Sequence, residues 1–157
     1  TVSSALERIK SNDPFEIVAD LGDPMIPVCA GMLSEASNHC NVILAGGTQM
    51  TAVLAFAKKI GYNKDNTAIG CTSYIIDDVD AKFLETVKQI DDIAVLSVDP
   101  HLSESQFFGL QSYSEGFVKE GAGAGGCLIA AILKTGRTSQ KLLELIETEY
   151  QRISTLQ

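Results

Sequence analysis

The chain has 157 residues, 45% of them hydrophobic, and a formal net charge of −8. A chain of this length buries about 68–70% of its unfolded surface and folds without disulfide or metal staples. Its apolar content excludes a disordered segment, and no apolar run approaches the roughly 20 residues of a membrane span. The 12 Lys and Arg are scattered, so no basic stripe can neutralise a phosphate backbone, and nucleic acid is excluded as a partner.

Val2 to Lys10 reads as a helix. Asp13 as N-cap and Pro14 at the first helical position start a second one. Gly22 ends it, and Asp23 caps a third from Met25 to Asn38, with Pro27 tolerated in its first turn. Small residues on that helix (Ala30, Gly31, Ser34, Ala36) allow close approach to a neighbour. The short run Asn41 to Ala45, ending at Gly46-Gly47, reads as a buried parallel strand. Thr48 then caps a helix from Gln49 to Ile60, closed by Gly61. Thr67 to Cys71 is a second strand. Asp80 to Ile90 is a helix with Phe83, Leu84, Val87 and Ile90 at helical spacing, and Ile93 to Val98 is a third strand.

After Val98 the spacing predicts a loop over Asp99 to Ser103 and a helix over Glu104 to Tyr113. A glycine-rich run, Gly121-Ala122-Gly123-Ala124-Gly125-Gly126, leads into an apolar helix from Cys127 to Leu133, ended near Gly136. Thr138 or Ser139 caps a last amphipathic helix to about Ile153, with Leu142, Leu143, Leu145 and Ile146 on or near its buried side. Strands alternating with helices argue for an α/β fold: a three-layer, Rossmann-like parallel sheet with flanking helices. Three strands are few for so many helices, so further strands of a larger sheet are expected from sequence outside this chain. The opening on Thr1 leaves room for a missing start.

Cys29, Cys40, Cys71 and Cys127 form no CxxC pair, which argues against zinc. Cys29 and Cys127, in apolar helical stretches, are expected to be buried free thiols, and a cytoplasmic location is expected. The pair Asp77-Asp78, with Asp80, is expected to cap the following helix rather than hold a divalent cation. His39 is expected to meet the last carbonyls of its helix.

Ligands of parallel sheets bind beyond the carboxyl ends of the strands. Three loops leave those ends: Gly46-Gly47-Thr48-Gln49, Cys71-Thr72-Ser73-Tyr74, and Asp99 to Ser103. In the first, two glycines let backbone N–H groups approach a ligand at a helix N-terminus; the alternative is a tight turn with a Thr cap. The segment from Lys119 to Gly126 matches G-x-G-x-x-G, but no strand precedes it and no strand with an acidic end follows, so a dinucleotide fold is rejected. What remains is bare main chain beside one carboxylate, Glu120, able to take a ligand's proton; the alternative is close helix packing through Gly and Ala. His101 is either a ligand contact or a surface loop histidine.

These motifs in this order resemble the C-terminal half of nicotinate-nucleotide:dimethylbenzimidazole phosphoribosyltransferases, closest to their archaeal branch. Four blocks carry the resemblance: Leu21 to Met25 with Ala30-Gly31-Met32; Val42 to Met50; Asp99 to Ser103; and Glu115 to Gly126. The resemblance implies transfer of phosphoribose from nicotinate mononucleotide to a benzimidazole-type base, releasing nicotinate, in cobamide lower-ligand assembly. It implies Glu120 as the general base and Gly46, Gly47, Thr48, Gln49, His101, Gly121, Ala122 and Gly123 as substrate-binding residues. It requires no cofactor and no metal, and it implies a homodimer and an N-terminal half that this chain lacks. Residues 1–157 are then a single α/β domain or the C-terminal half of a larger one. Two positions depart from the bacterial pattern: Ala45 replaces an Asp, and Asp99-Pro100-His101 replaces Pro-Ser-His. These departures favour, as the alternative, a non-catalytic nucleotide or cobamide-precursor binding protein on the same fold; a third possibility is an α/β fragment with no site of its own.

Overall fold

The computed structural model describes residues 2–116 and 123–155. Along the chain run α1 (Val2–Leu6), α2 (Pro14–Leu21), α3 (Met25–Ala36), β1 (Val42–Ala45), α4 (Gln49–Ile60), β2 (Thr67–Thr72), α5 (Ser73–Asp77), α6 (Phe83–Ile90), β3 (Ala94–Val98), α7 (Phe108–Ser114), α8 (Ala124–Thr135) and α9 (Ser139–Ser154). The strands lie in the order β1-β2-β3, all parallel. The register pairs Ala45 with Gly70 and Thr72 with Val98, so the strands end together at one side of the sheet.

Side chains alternate across a strand with period two, and the two faces are filled differently. Leu44, Ile69 and Cys71 join the main core with Leu33 of α3, Val53, Leu54 and Ala57 of α4, and Val87 of α6. On the other face α8 lies across all three strands. It lies there because the residues of its first turn that face the sheet, Gly125 and Gly126, have no side chains to hold it off. A Cβ at Gly125 would sit 2.0 Å from the Cys71 carbonyl carbon, and one at Gly126 would sit 2.5 Å from the Ala45 Cα. The α/β architecture with helices on both faces of a parallel sheet is therefore as expected.

Several boundaries differ, each for a local reason. The helix expected over Val2 to Lys10 ends at Leu6; Leu6 is exposed, and a helix this short needs tertiary packing to persist. The helix expected from Asp80 begins at Phe83 instead. Asp78 accepts hydrogen bonds from the Asp80 and Ala81 amides, closing a 3₁₀ turn over Val79–Ala81, and Lys82 then adopts φ 46°. The helix expected over Glu104 to Tyr113 splits into a 3₁₀ turn, Leu102–Glu104, and α7. Between them the Glu147 carboxylate of α9 accepts from the Ser105 hydroxyl at 2.7 Å and the Gln106 amide at 2.8 Å, holding Ser105 extended.

The cysteine expectation needs correcting. Cys127 is exposed and Cys29 only half-buried, whereas Cys71, on the central strand, is the buried thiol. The apolar stretch around Cys127 begins its helix three residues earlier, at Ala124, and it is the glycines of that turn, not Cys127, that face the sheet. Other signals hold: Asp13 accepts from the Phe15 amide, Asp23 from Met25, and Thr138 from Lys141.

Candidate functional site

β1 ends in a turn that its sequence makes compact. Gly46 and Gly47 are buried, and a Cβ at Gly46 would lie 3.0 Å from Cγ of Met50. The helix bonds of α4 begin with Met50 donating to the Gly47 carbonyl and Thr51 donating to that of Thr48. Among the described residues nothing accepts from the amides of Gly47, Thr48 or Gln49, the orphan donors every helix start leaves. Thr48 does not satisfy them. It has helical dihedrals and makes no side-chain cap bond, so the Thr cap expected from sequence is absent.

Two cavities flank this turn and share it. One, of about 500 Å³, lies between Gly47, Thr48 and Gln49 on one wall and Ile75, Asp78 and Asp80 on the other. The second, about 470 Å³, is an apolar groove between Met25, Cys29 and Met32 of α3 and the length of β1; Gly46, Gly47, Gln49 and Gly123 close its end. Gly123 reaches it because the start of α8 bends over the β1 terminus at φ 71°, where a Cβ would sit 2.6 Å from the Ala45 carbonyl oxygen. The Ala45 methyl in turn faces Gly126.

The structure thus brings together Gly46, Gly47, Thr48, Gln49 and Gly123. Glu120, Gly121 and Ala122 lie outside the described residues. His101 is placed elsewhere, at the end of β3, two strands and roughly 10 Å away across the sheet. It holds φ 56°, and its amide donates to Asp99 at 2.8 Å. Its Nδ1 lies 3.0 Å from a Glu104 carboxylate oxygen and its Nε2 3.0 Å from the Ser139 hydroxyl. Both ring nitrogens are therefore engaged, Nδ1 within the loop and Nε2 tying the loop to α9, and His101 lines neither cavity. His39 pairs with Glu35 at 3.0 Å one turn back, not with the last carbonyls of α3.

Sequence reasoning missed the acidic wall. Asp78 and Asp80 read in the sequence as caps of the following helix, and Asp78 instead caps the 3₁₀ turn before it; their place opposite the Gly47 turn depends on β2 bringing α5 alongside β1. The middle strand-end loop is this α5. Its Tyr74 ring stacks at a tilt on Tyr113, 5.6 Å between centroids; burial first, then the nearby Asp99 charge, pushes the phenol above its ordinary pKa. Among the described residues no group of His, Cys, Asp and Glu side chains is arranged to hold a metal ion, and no helix is long and apolar enough to cross a membrane.

Fold and site define the class: an α/β protein with a parallel sheet and a glycine turn flanked by two cavities at the strand ends. The chain is similar to UPF0284 proteins of cyanobacteria and archaea. It is 42% identical over 155 residues to the UPF0284 protein of Crocosphaera subtropica, covering 93% of this chain and 42% of that protein. It is 42% identical over 149 residues to that of Gloeothece citriformis, covering 91% of this chain and 40% of the relative. To that of Archaeoglobus fulgidus it is 39% identical over 152 residues, covering 97% and 42%. The chain therefore spans about two fifths of the length of the curated relatives it matches. No protein-family model matches it.

Proposed function

We propose that this chain supplies the nucleotide-cradling part of a phosphoribosyltransferase. The enzyme moves phosphoribose from nicotinate mononucleotide to a benzimidazole-type base, releases nicotinate, and so assembles the lower ligand of a cobamide. The observation that carries this reading is the pair of cavities sharing one turn. A transfer between two bases needs a polar seat for the sugar phosphate and an apolar seat for a flat ring, side by side. The amides of Gly47, Thr48 and Gln49, without a partner among the described residues, suit phosphate oxygens. Asp78 and Asp80 repel a phosphate but accept from ribose hydroxyls, which sets the direction in which the sugar lies. The groove along α3 and β1, with Met25, Cys29 and Met32, suits an aromatic base.

In the reaction the unprotonated ring nitrogen of the base attacks the anomeric carbon as the bond to nicotinate breaks. The bonding pair leaves on the nicotinate nitrogen, and the proton of the other ring nitrogen passes to Glu120, three residues before Gly123 in the chain. Gly121 and Ala122 complete the substrate seat, and His101 acts by holding its loop on α9. The chemistry calls for no metal or cofactor. The working protein is a cytoplasmic homodimer in this reading. A full-length protein incubated with nicotinate mononucleotide and dimethylbenzimidazole should release nicotinate and form the ribosylated base phosphate, resolved by chromatography. Absence of both products, with the nucleotide still bound, would replace this reading by the second one. That second reading, a non-catalytic nucleotide or cobamide-precursor binder, is favoured by the apolar Ala45 at the turn.

A further inference from the structure

The bonds that tie the β3 loop to α9 also align a hydroxyl, an imidazole and a carboxylate. The Ser139 hydroxyl lies 3.0 Å from Nε2 of His101, and Nδ1 of the same ring lies 3.0 Å from a carboxylate oxygen of Glu104. An ionised carboxylate only accepts, so the ring proton sits on Nδ1 and Nε2 accepts from the serine. The other Glu104 oxygen accepts from the Gln140 side-chain amide at 3.0 Å, which fixes the carboxylate at both ends. Asp99 accepts from the His101 amide and places an oxygen 3.6 Å from Nδ1. A simple tether would need only the histidine bonds. Here the α9 side adds room for a reacting carbonyl. Ser139, the first residue of α9, is half-buried. Among the described residues nothing accepts from its amide or from that of Gln140, because the Thr138 side chain takes the Lys141 amide instead. The loop is satisfied, and the receptive atoms belong to α9.

We propose that Ser139, His101 and Glu104 act as nucleophile, base and orienting acid in the hydrolysis of small carboxylic esters. The geometry meets the two tests of such a site: the nucleophile bonds to the base, and the base bonds to a group that orients it. None of the three lines either cavity beside the β1 turn, so this activity is separate from the nucleotide site. His101 takes the Ser139 proton on Nε2 as Oγ bonds to the ester carbonyl carbon. The amides of Ser139 and Gln140 meet the charge that develops on the carbonyl oxygen. The bond to the alcohol oxygen then breaks, and His101 gives the proton to the departing alcohol. A water next gives its proton to His101 and its oxygen to the acyl carbon. The acid leaves, and the proton returns to Oγ of Ser139. Glu104 stays ionised throughout, holding the ring and balancing the imidazolium. Thr138 and Gln140 on either side of Ser139 are exposed, so the acyl chain is not enclosed. The substrates are therefore short esters with good leaving groups.

The test uses the full-length protein with no nucleotide and no base present, so it stands apart from the transferase reading. A fluorophosphonate probe should label Ser139, located by peptide mass spectrometry, and p-nitrophenyl acetate should be hydrolysed. Ser139→Ala should remove the label and lower hydrolysis about 10²-fold or more. Glu104→Gln, which keeps the side chain's shape, should slow labelling and hydrolysis about tenfold or more. Melting curves of each variant check that the fold is kept. Absence of label on Ser139 in the parent protein overturns the proposal whether or not the variants fold. Hydrolysis undiminished in a folded Ser139→Ala protein also overturns it and leaves His101 as a tether alone.

Discussion

The ends of β1 and β3 carry loops of similar promise in the sequence, and the structure treats them oppositely. Beyond β3, the polar groups of residues 99 to 106 are turned inward: His101 bridges Glu104 and Ser139, Gln140 reaches Glu104, and Glu147 holds Ser105 and Gln106. Beyond β1, three amides have no described partner and open space lies on both sides. A loop that satisfies its own hydrogen bonds is an anchor, whereas a loop that leaves donors unpaired beside a cavity is equipped to receive something. The comparison separates the two where position at a strand end alone does not.

The strongest way to break this comparison is to disturb the support of the β1 turn. Gly125→Ala places a methyl against the Cys71–Thr72 backbone, where nothing flexible can yield. A loss of about 3 kcal/mol is expected, at the upper end of overpacking effects, and thermal or urea unfolding measures it. A variant as stable as the parent would mean that α8 does not rest on the sheet through its glycines.

The next effect tests the β3 end. The Ser105 hydroxyl, then the Gln106 amide, hold the Glu147 carboxyl below its ordinary pKa of 4.5. A depressed folded-state pKa contributes stability that is complete above the unfolded value and disappears as pH falls through the folded one. Parent melting temperature should therefore drop as pH is lowered below about 4.5, and Glu147→Gln should show a shallower drop. Parallel curves would release Glu147 from its role as fastener.

How much of this contrast was legible follows from which interactions are local. Asp13, Asp23, Gly61 and Thr138 act on amides or carbonyls within four residues, so the sequence displays them. The parallel strands follow from alternation of apolar runs with helices. The His101–Ser139, Ser105–Glu147 and Gly125–Cys71 contacts join residues 38, 42 and 54 positions apart, and no local pattern announces them. For the same reason the sequence shows Asp78 and Asp80 as helix caps only, and Cys127 as buried although the helix turns it outward.

The smallest expected effect sharpens the β1 end. Thr48 looks like a cap but makes no cap bond. Thr48→Ala should cost less than about 0.5 kcal/mol, below the roughly 1 kcal/mol of a working cap. A cap-sized loss would show that the Thr48 hydroxyl serves the first turn of α4 after all and that one of its amides is taken.

The most direct test of the central claim uses Glu120→Gln in the full-length protein, with nicotinate mononucleotide binding and nicotinate release measured side by side. The expected result is near-parent affinity for the nucleotide and transfer to dimethylbenzimidazole reduced by about 10²–10⁴-fold, the contribution of a general base. Turnover at the parent rate would contradict it.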